Sequence, residues 1–239
     1  MLVLLALLPI GLLSLYSHRA GSQAVRSLVF TNNWQAASIA GDLVQRDFET
    51  KVSIVHAFAS LPGLVDTVRA RDENATRALL RLAKQSFSRV ERIYVTDRDG
   101  WEWSDFPKAP ESLGKNFADR DWYRTMTNAW QPVVSEVYKR NAQPQLLVVA
   151  VAAPVRETNG VVLGAIVFQY RLGEISDWLR SVGVGVGEFG EVFIVDHTGT
   201  LAAHPTECRE CELASSERNA GPAVSSPVHI AVPGSASAG

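Results

Sequence analysis

The chain has 239 residues, 46% of them hydrophobic, and its 23 Lys and Arg nearly balance 25 Asp and Glu, for a net charge of −2. That length allows one large domain or two small ones. The near-neutral charge, with no basic stripe interleaved with aromatics, gives no reason to expect a nucleic-acid or acidic-polymer partner, and that class is set aside.

The first seventeen residues, MLVLLALLPIGLLSLYS (Met1–Ser17), carry no charge. At about 1.5 Å per residue such a run spans roughly 25 Å, slightly short of a bilayer core of roughly 30 Å. No basic stretch precedes it, and the small-x-small cleavage pattern Ser22-Gln23-Ala24 lies well past its end. An uncleaved single-pass anchor over 1–17 is therefore expected in preference to a cleaved signal, with the rest of the chain outside the cytoplasm.

From His18 to Ser60 the only helix breakers are two glycines, Gly21 and Gly41. Val25, Leu28, Ile39, Leu43, Val52, Val55 and Ala59 recur mostly three or four residues apart, which predicts a long helix continuing out of the membrane. LPGL (Leu61–Leu64) interrupts it, because proline cannot donate to the helix ladder and glycine loosens it. A further helix is expected with Asp72 or Asn74 as its cap and Ala78, Leu79, Leu82 and Phe87 on its buried side.

The pattern then changes to strands. RIYVT (Arg92–Thr96) meets the turn DRDG (Asp97–Gly100), and WEWSDF (Trp101–Phe106) alternates after it. Period two puts Trp101 and Trp103 on one face, where they are expected to pack against a helix. Later, QLLVVAVAAPV (Gln145–Val155) and VVLGAIVFQY (Val161–Tyr170) flank RETNG (Arg156–Gly160), and Asn-Gly between apolar runs is a strong hairpin signal. Helices first and antiparallel strands after them predict an α+β fold with helices packed on one sheet.

Two segments resemble each other. In IYVTDRDGWEWSDFP (Ile93–Pro107) and VFIVDHTGTLAAHP (Val192–Pro205), Tyr94, Asp97 and Gly100 match Phe193, Asp196 and Gly199. Each segment reads as strand, turn, strand, with a glycine able to take positive φ. A helix is expected before each, ALLRLAKQSF (Ala78–Phe87) and EISDWLRSV (Glu174–Val182). Two related modules in tandem are the better reading.

The order and spacing of the anchor and long helix, LPGLV (Leu61–Val65), IYVTDRDG (Ile93–Gly100), RDWYR (Arg120–Arg124), VVLGAIVFQYRL (Val161–Leu172) and GEFGEVFIVDHTGTLAAHP (Gly187–Pro205) resemble the double-Cache sensor family. These are extracellular, PAS-like input domains of bacterial receptors such as histidine kinases, chemoreceptors and diguanylate cyclases. The resemblance covers about residues 27–205 and implies a layout: stalk helix over 18–60, membrane-distal module over 61–182, the start of an incomplete membrane-proximal module over 183–206, and a tail over 207–239.

It also implies a site. In amino-acid-binding members an Arg-x-Trp-Tyr motif grips the ligand carboxylate, and Arg120, Trp122 and Tyr123 match it. A guanidinium pairs bidentately with a carboxylate, while indole N–H and phenol O–H add directional donors. Tyr138 stands where the family places another pocket tyrosine. Gln169 replaces the aspartate that pairs with the ligand amine. With Tyr94, these six form the candidate ligand-binding set. Lys115 and Arg140 add cations where amine binders carry tyrosine or acid. A desolvated ammonium without an acid partner costs several kcal/mol. An organic anion with no required amine is therefore expected.

Blander readings compete. Arg120 and its neighbours also suit a helix start, with Asp119 as cap, Trp122 in the core and Arg124 in solvent. Lys115 and Arg140 also read as surface charges. His204, Cys208 and Cys211 form a His-x3-Cys-x2-Cys array, for which a local disulfide or unpaired tail cysteines rank ahead of zinc. No catalytic motif is recognisable, and GVGVGEFG (Gly183–Gly190) follows a helix and precedes a strand, the reverse of a dinucleotide loop. No enzyme activity, cofactor or resident metal is expected. The tail from Thr206 is rich in Ala, Gly, Ser and Pro and reads as disordered or as the product of a truncated or shifted frame. An anchored sensor is the leading expectation, with a small organic acid or amino-acid-like ligand and the long helix as a surface for a homodimer. A non-signalling remnant is the alternative.

Overall fold

The computed structural model describes the backbone of residues 2–175, 177, 194–195 and 201–203, with side chains described at 17, 18, 28, 30–175 and 177. The first element is a single helix, α1 (Leu2–Ala59), of 58 residues. Among the described residues no helix is long and apolar enough to cross a membrane. The side chains of 1–16, which carried the anchor expectation, lie outside them. Ala40, Val44, Phe48, Val55 and Ala59 form the buried stripe of α1. Val55 and Ala59 are buried as expected, but earlier in the helix the stripe is shifted by one residue: Ala40 and Val44 face inward, while Ile39 is 55% and Leu28 62% exposed. The sheet covers only the second half of α1, so apolar side chains nearer its start need not follow its packing face.

At Leu61 the chain turns and restarts as α2 (Pro62–Ala70), with proline where its missing N–H costs nothing. Arg71, in the left-handed region at φ 53°, closes α2. Asp72 then caps α3 (Glu73–Ser86), its Oδ1 accepting from Ala75 N at 2.9 Å, as the sequence predicts. The buried side of α3 is Thr76, Leu80 and Ala83; Ala78 and Leu82 are exposed, and Leu79 and Phe87 are half-buried against the core. The expected phase was one step out because Leu80 carries the inward stripe and Leu82 does not.

Six antiparallel strands follow: β1 (Val90–Asp97), β2 (Glu102–Phe106), β3 (Val133–Val134), β4 (Tyr138–Lys139), β5 (Leu147–Arg156) and β6 (Val162–Arg171). Their order is β2-β1-β6-β5-β3, with β4 also paired to β5. The two predicted hairpins are the β1–β2 and β5–β6 pairs. The α+β expectation is met: a long helix, an antiparallel sheet, and helices against it.

Side-chain alternation gives the sheet two faces. Val90, Ile93, Val95, Val149, Val151, Ile166, Phe168 and Tyr170 pack under α1, α2 and α3 in the main core. Tyr94, Ala150, Ala152, Ala165 and Val167 point the other way, where α4 (Asp121–Ala129) covers them with Trp122 and Met126. Three alanines on this second face leave room for the large rings above them. A bulge in the β1–β2 pairing breaks the alternation near Trp101 and Trp103. Trp101 is consequently 49% exposed, while Trp103 packs half-buried on the main core.

The turn between β1 and β2 carries the glycine the sequence singled out. Gly100 has φ +89°, and a Cβ there would meet Ala118 N and Tyr123 Cε2, each at 3.1 Å. Asp97 Oδ1 accepts from Asp99 N and Trp101 N and holds the same turn. In the second matched segment, β7 (Ile194–Val195) and β8 (Leu201–Ala203) pair antiparallel, while Phe193, Asp196 and Gly199 lie outside the described residues. So do His204, Cys208, Cys211, the glycine-rich stretch, the tail, and most of the helix expected over 174–182.

Candidate ligand-binding site

The helix over the second face begins at the motif that drew attention in the sequence. Arg120, not Asp119, is the N-cap of α4, in extended conformation and with no side-chain cap. This backbone turns the Arg120 side chain back over the sheet. Its guanidinium lies 4.9 Å from the ring centroid of Tyr138, and Nη2 donates to Asn141 Oδ1 at 3.2 Å. A cation over a phenol face is held by the ring quadrupole.

Trp122 is fully buried. Its ring meets Tyr94 edge-on at 6.3 Å and Tyr123 at 5.7 Å. Its Nε1 has no hydrogen-bond partner. Tyr123 turns away from this group: its hydroxyl donates to Arg98 O at 2.5 Å, across the β1–β2 turn that Gly100 keeps open.

Tyr138 is the hub. Gln169 Nε2 donates to its oxygen at 2.8 Å, and Tyr94 is hydrogen-bonded to it as well. Burial pushes both phenols up, Tyr94 well above its ordinary value; for Tyr138 the bonds from Gln169 and Tyr94 partly oppose that. Both phenols are therefore neutral O–H groups at any physiological pH. Gln169 is buried, and its Oε1 has no partner. Of the six candidates, Arg120, Trp122, Tyr138, Gln169 and Tyr94 gather on one face of the sheet, and Tyr123 stands at the edge of that group.

The two further cations do not join them. Arg140 is buried rather than on the surface, donating to Glu91 Oε1 at 3.1 Å and Pro144 O at 2.9 Å. Lys115 is exposed.

What sequence reasoning missed is a buried ionic cluster beside Tyr94. Arg92 precedes Tyr94 by two on β1 and so shares its face, with its guanidinium 5.0 Å from the Tyr94 ring centroid. Nη2 of Arg92 donates to Glu102 Oε1 and to Asp105 Oδ2, the latter at 2.7 Å. Ser112 Oγ donates to the other Glu102 oxygen at 3.0 Å, and Ala109 N to Asp105 Oδ2 at 2.7 Å. Burial pushes Glu102 up to about 7 against the pull of Arg92. The signal was present in the strands: Arg92 and Thr96 alternate with apolar residues on a strand too hydrophobic to be an exposed edge.

Three comparisons bear on these features. A family model described as a Cache domain matches residues 22–221, most of the chain. The methyl-accepting chemotaxis protein McpA of Bacillus subtilis (strain 168) is 29% identical over 125 residues, which are 52% of this chain but 18% of that receptor. The chain thus spans under a fifth of that relative's length. The ligand-binding domain of Pseudomonas fluorescens chemoreceptor CtaA, solved with L-isoleucine, superposes with a TM-score of 0.58 at 16% identity, covering 77% of this chain and 72% of that one. That of Pseudomonas aeruginosa PAO1 chemoreceptor PctB, with L-Gln, gives 0.56 at 21% identity over 72% and 67%. That of PctC, from the same organism and with GABA, gives 0.56 at 22% over 74% and 77%. At such identities the likeness to the solved domains is one of fold. With the family match spanning most of its length, the chain belongs to the Cache-domain family.

Proposed function

We propose that this chain is the extracytoplasmic, ligand-binding input of a bacterial transmembrane receptor, and that its α4-covered face holds a small carboxylate. In this reading residues 1–17 anchor it in the inner membrane, 18–60 form the stalk, 61–182 the distal ligand-binding module and 183–206 the start of a second module. Signalling output lies with another domain or partner.

One observation carries the ligand class: a guanidinium and an unpartnered buried indole N–H stand together on this face. A phenol has one proton and two acceptor positions. The bonded pair Tyr94–Tyr138 places one proton between its oxygens, and Gln169 Nε2 fills another position on Tyr138. One phenolic O–H is left to donate outward. Beside it stand Arg120, bonded on this face to Asn141, and the unpartnered Trp122 N–H. A carboxylate accepts from such an array and meets its unpartnered donors. The start of α4, with its free backbone N–H groups, adds to the preference for an anion. A ligand amine finds a poorer match at Gln169, whose Oε1 accepts but carries no charge.

Calorimetric titration of the purified chain with acetate, propionate, lactate, succinate and malate, and with common amino acids, tests this. The expected result is binding of at least one organic acid, weakened about a hundredfold by Arg120→Ala, the usual scale for a charge-assisted bidentate pair. Tight binding of amino acids with none of organic acids would contradict it.

A further inference from the structure

The buried ionic cluster has no part in that reading, yet it borders the site on the β1–β2 side. Arg92 is the register partner of Gln169, and Asp105 that of Tyr94. Glu102 and Asp105 are the buried carboxylates among the described residues, and both lie against the same arginine. Three further atoms here are buried without partners: Arg92 Nε, Asp105 Oδ1 and Thr96 Oγ1. Such a cluster is a costly way to hold a sheet edge together, since apolar residues of similar volume often serve as well or better. Its position beside Tyr94 and Gln169 gives it another use.

We propose that Arg92 sets the charge selectivity of the site, by holding Glu102 and Asp105 on its own guanidinium and so withholding them from a ligand. With both acids engaged, an ammonium entering beside Tyr94 and Gln169 finds no free acid on the β1–β2 side of the site. Were one acid released, the same position would offer an anion on the strand next to Tyr94, two strands from Gln169. Arg92 also lies on the Tyr94 ring and steadies the phenol that bonds to Tyr138. Arg92 thus acts through its partners, as a positioning residue, and does not itself touch the ligand.

The inference rests on the carboxylate reading above, and the test separates the two. Each protein is titrated with the organic acid of the panel that binds the parent best, and with putrescine, a diamine. One variant, Arg92→Met with Glu102→Gln, leaves Asp105 as a lone acid still bonded by Ala109 N. A second adds Asp105→Asn and is neutral throughout, so it keeps the volume and shape of the cluster and serves if the first does not fold. The parent binds the organic acid and not putrescine. The first variant gains putrescine binding by about tenfold or more, the scale of one ion pair replacing a neutral contact, and the neutral variant loses that gain. The neutral variant keeps organic-acid affinity within about threefold of the parent. A first variant that folds without gaining the diamine overturns the inference. So does a neutral variant that loses the organic acid, because Arg92 would then be a direct contact. A parent that binds no organic acid, or binds it unaffected by Arg120→Ala, overturns the carboxylate reading and this inference with it.

Discussion

Arg120 does two things at once: it stacks on Tyr138 and reaches Asn141. Both contacts keep the guanidinium over the sheet, where a carboxylate would replace the Asn141 amide oxygen as acceptor. Gln169 is the complementary position. Gln169→Asp puts an anion where the amide oxygen has no partner, so amino-acid affinity should rise about tenfold or more relative to organic acids in paired titrations. An unchanged ratio would remove Gln169 from the site. Glu102 supplies a separate test through pH. Its folded value, about 7, lies above the 4.5 of the free group, so the folded state keeps the proton in that interval and the unfolded state releases it. The stabilisation this gives is complete below about 4.5 and is lost as the pH rises through about 7. Glu102→Gln should flatten the decline in unfolding temperature between about pH 5 and about pH 8, by an amount worth a few kcal/mol at most. Parallel pH profiles would mean that Arg92 keeps the carboxyl ionised throughout.

Among the elements, turns and caps were legible because their chemistry is local. Asp72 caps α3, Pro62 opens α2 and the Asn-Gly turn joins β5 to β6, each set by a few adjacent residues. Asp72→Ala should cost about 1 kcal/mol in denaturant unfolding. Gly100→Ala should cost more, since it adds the strain of a positive φ to contacts with Ala118 and Tyr123; a loss no larger than that of the cap variant would count against this view of the turn. Helix phase was less legible. Ile39 and Leu82 are as apolar as Val44 and Leu80, and only the position of the sheet decides which of them is covered. The same holds for the site. Arg120, Trp122 and Tyr123 were proposed from a motif and Tyr138 from the family resemblance, whereas Arg92, Glu102, Asp105 and Asn141 were not singled out, because their pairing depends on strand register and loop return. Arg140 is the converse case: counted as a cation near the site, it belongs to Glu91 and the Gln143–Pro144 backbone.

At the scale of the molecule, one sheet separates two kinds of packing. The face under α1, α2 and α3 is almost wholly apolar, while the face under α4 mixes rings, small residues and unmet polar atoms. Each unmet buried donor or acceptor costs about 1–3 kcal/mol. Trp122 Nε1 is one such donor, and a bound carboxylate would satisfy it. Since α1 packs against β5 and β6, the strands that carry Ala150 and Gln169, a ligand bound on the proposed face would have a direct physical route to α1. The most direct test of the central claim is a crystal structure of the distal module bound to the organic acid that titrates best. The account predicts the ligand carboxylate within hydrogen-bond distance of the Arg120 guanidinium and of a phenol oxygen of Tyr138 or Tyr94. A ligand bound elsewhere, with Arg120 still resting on Tyr138 and Asn141, would contradict it.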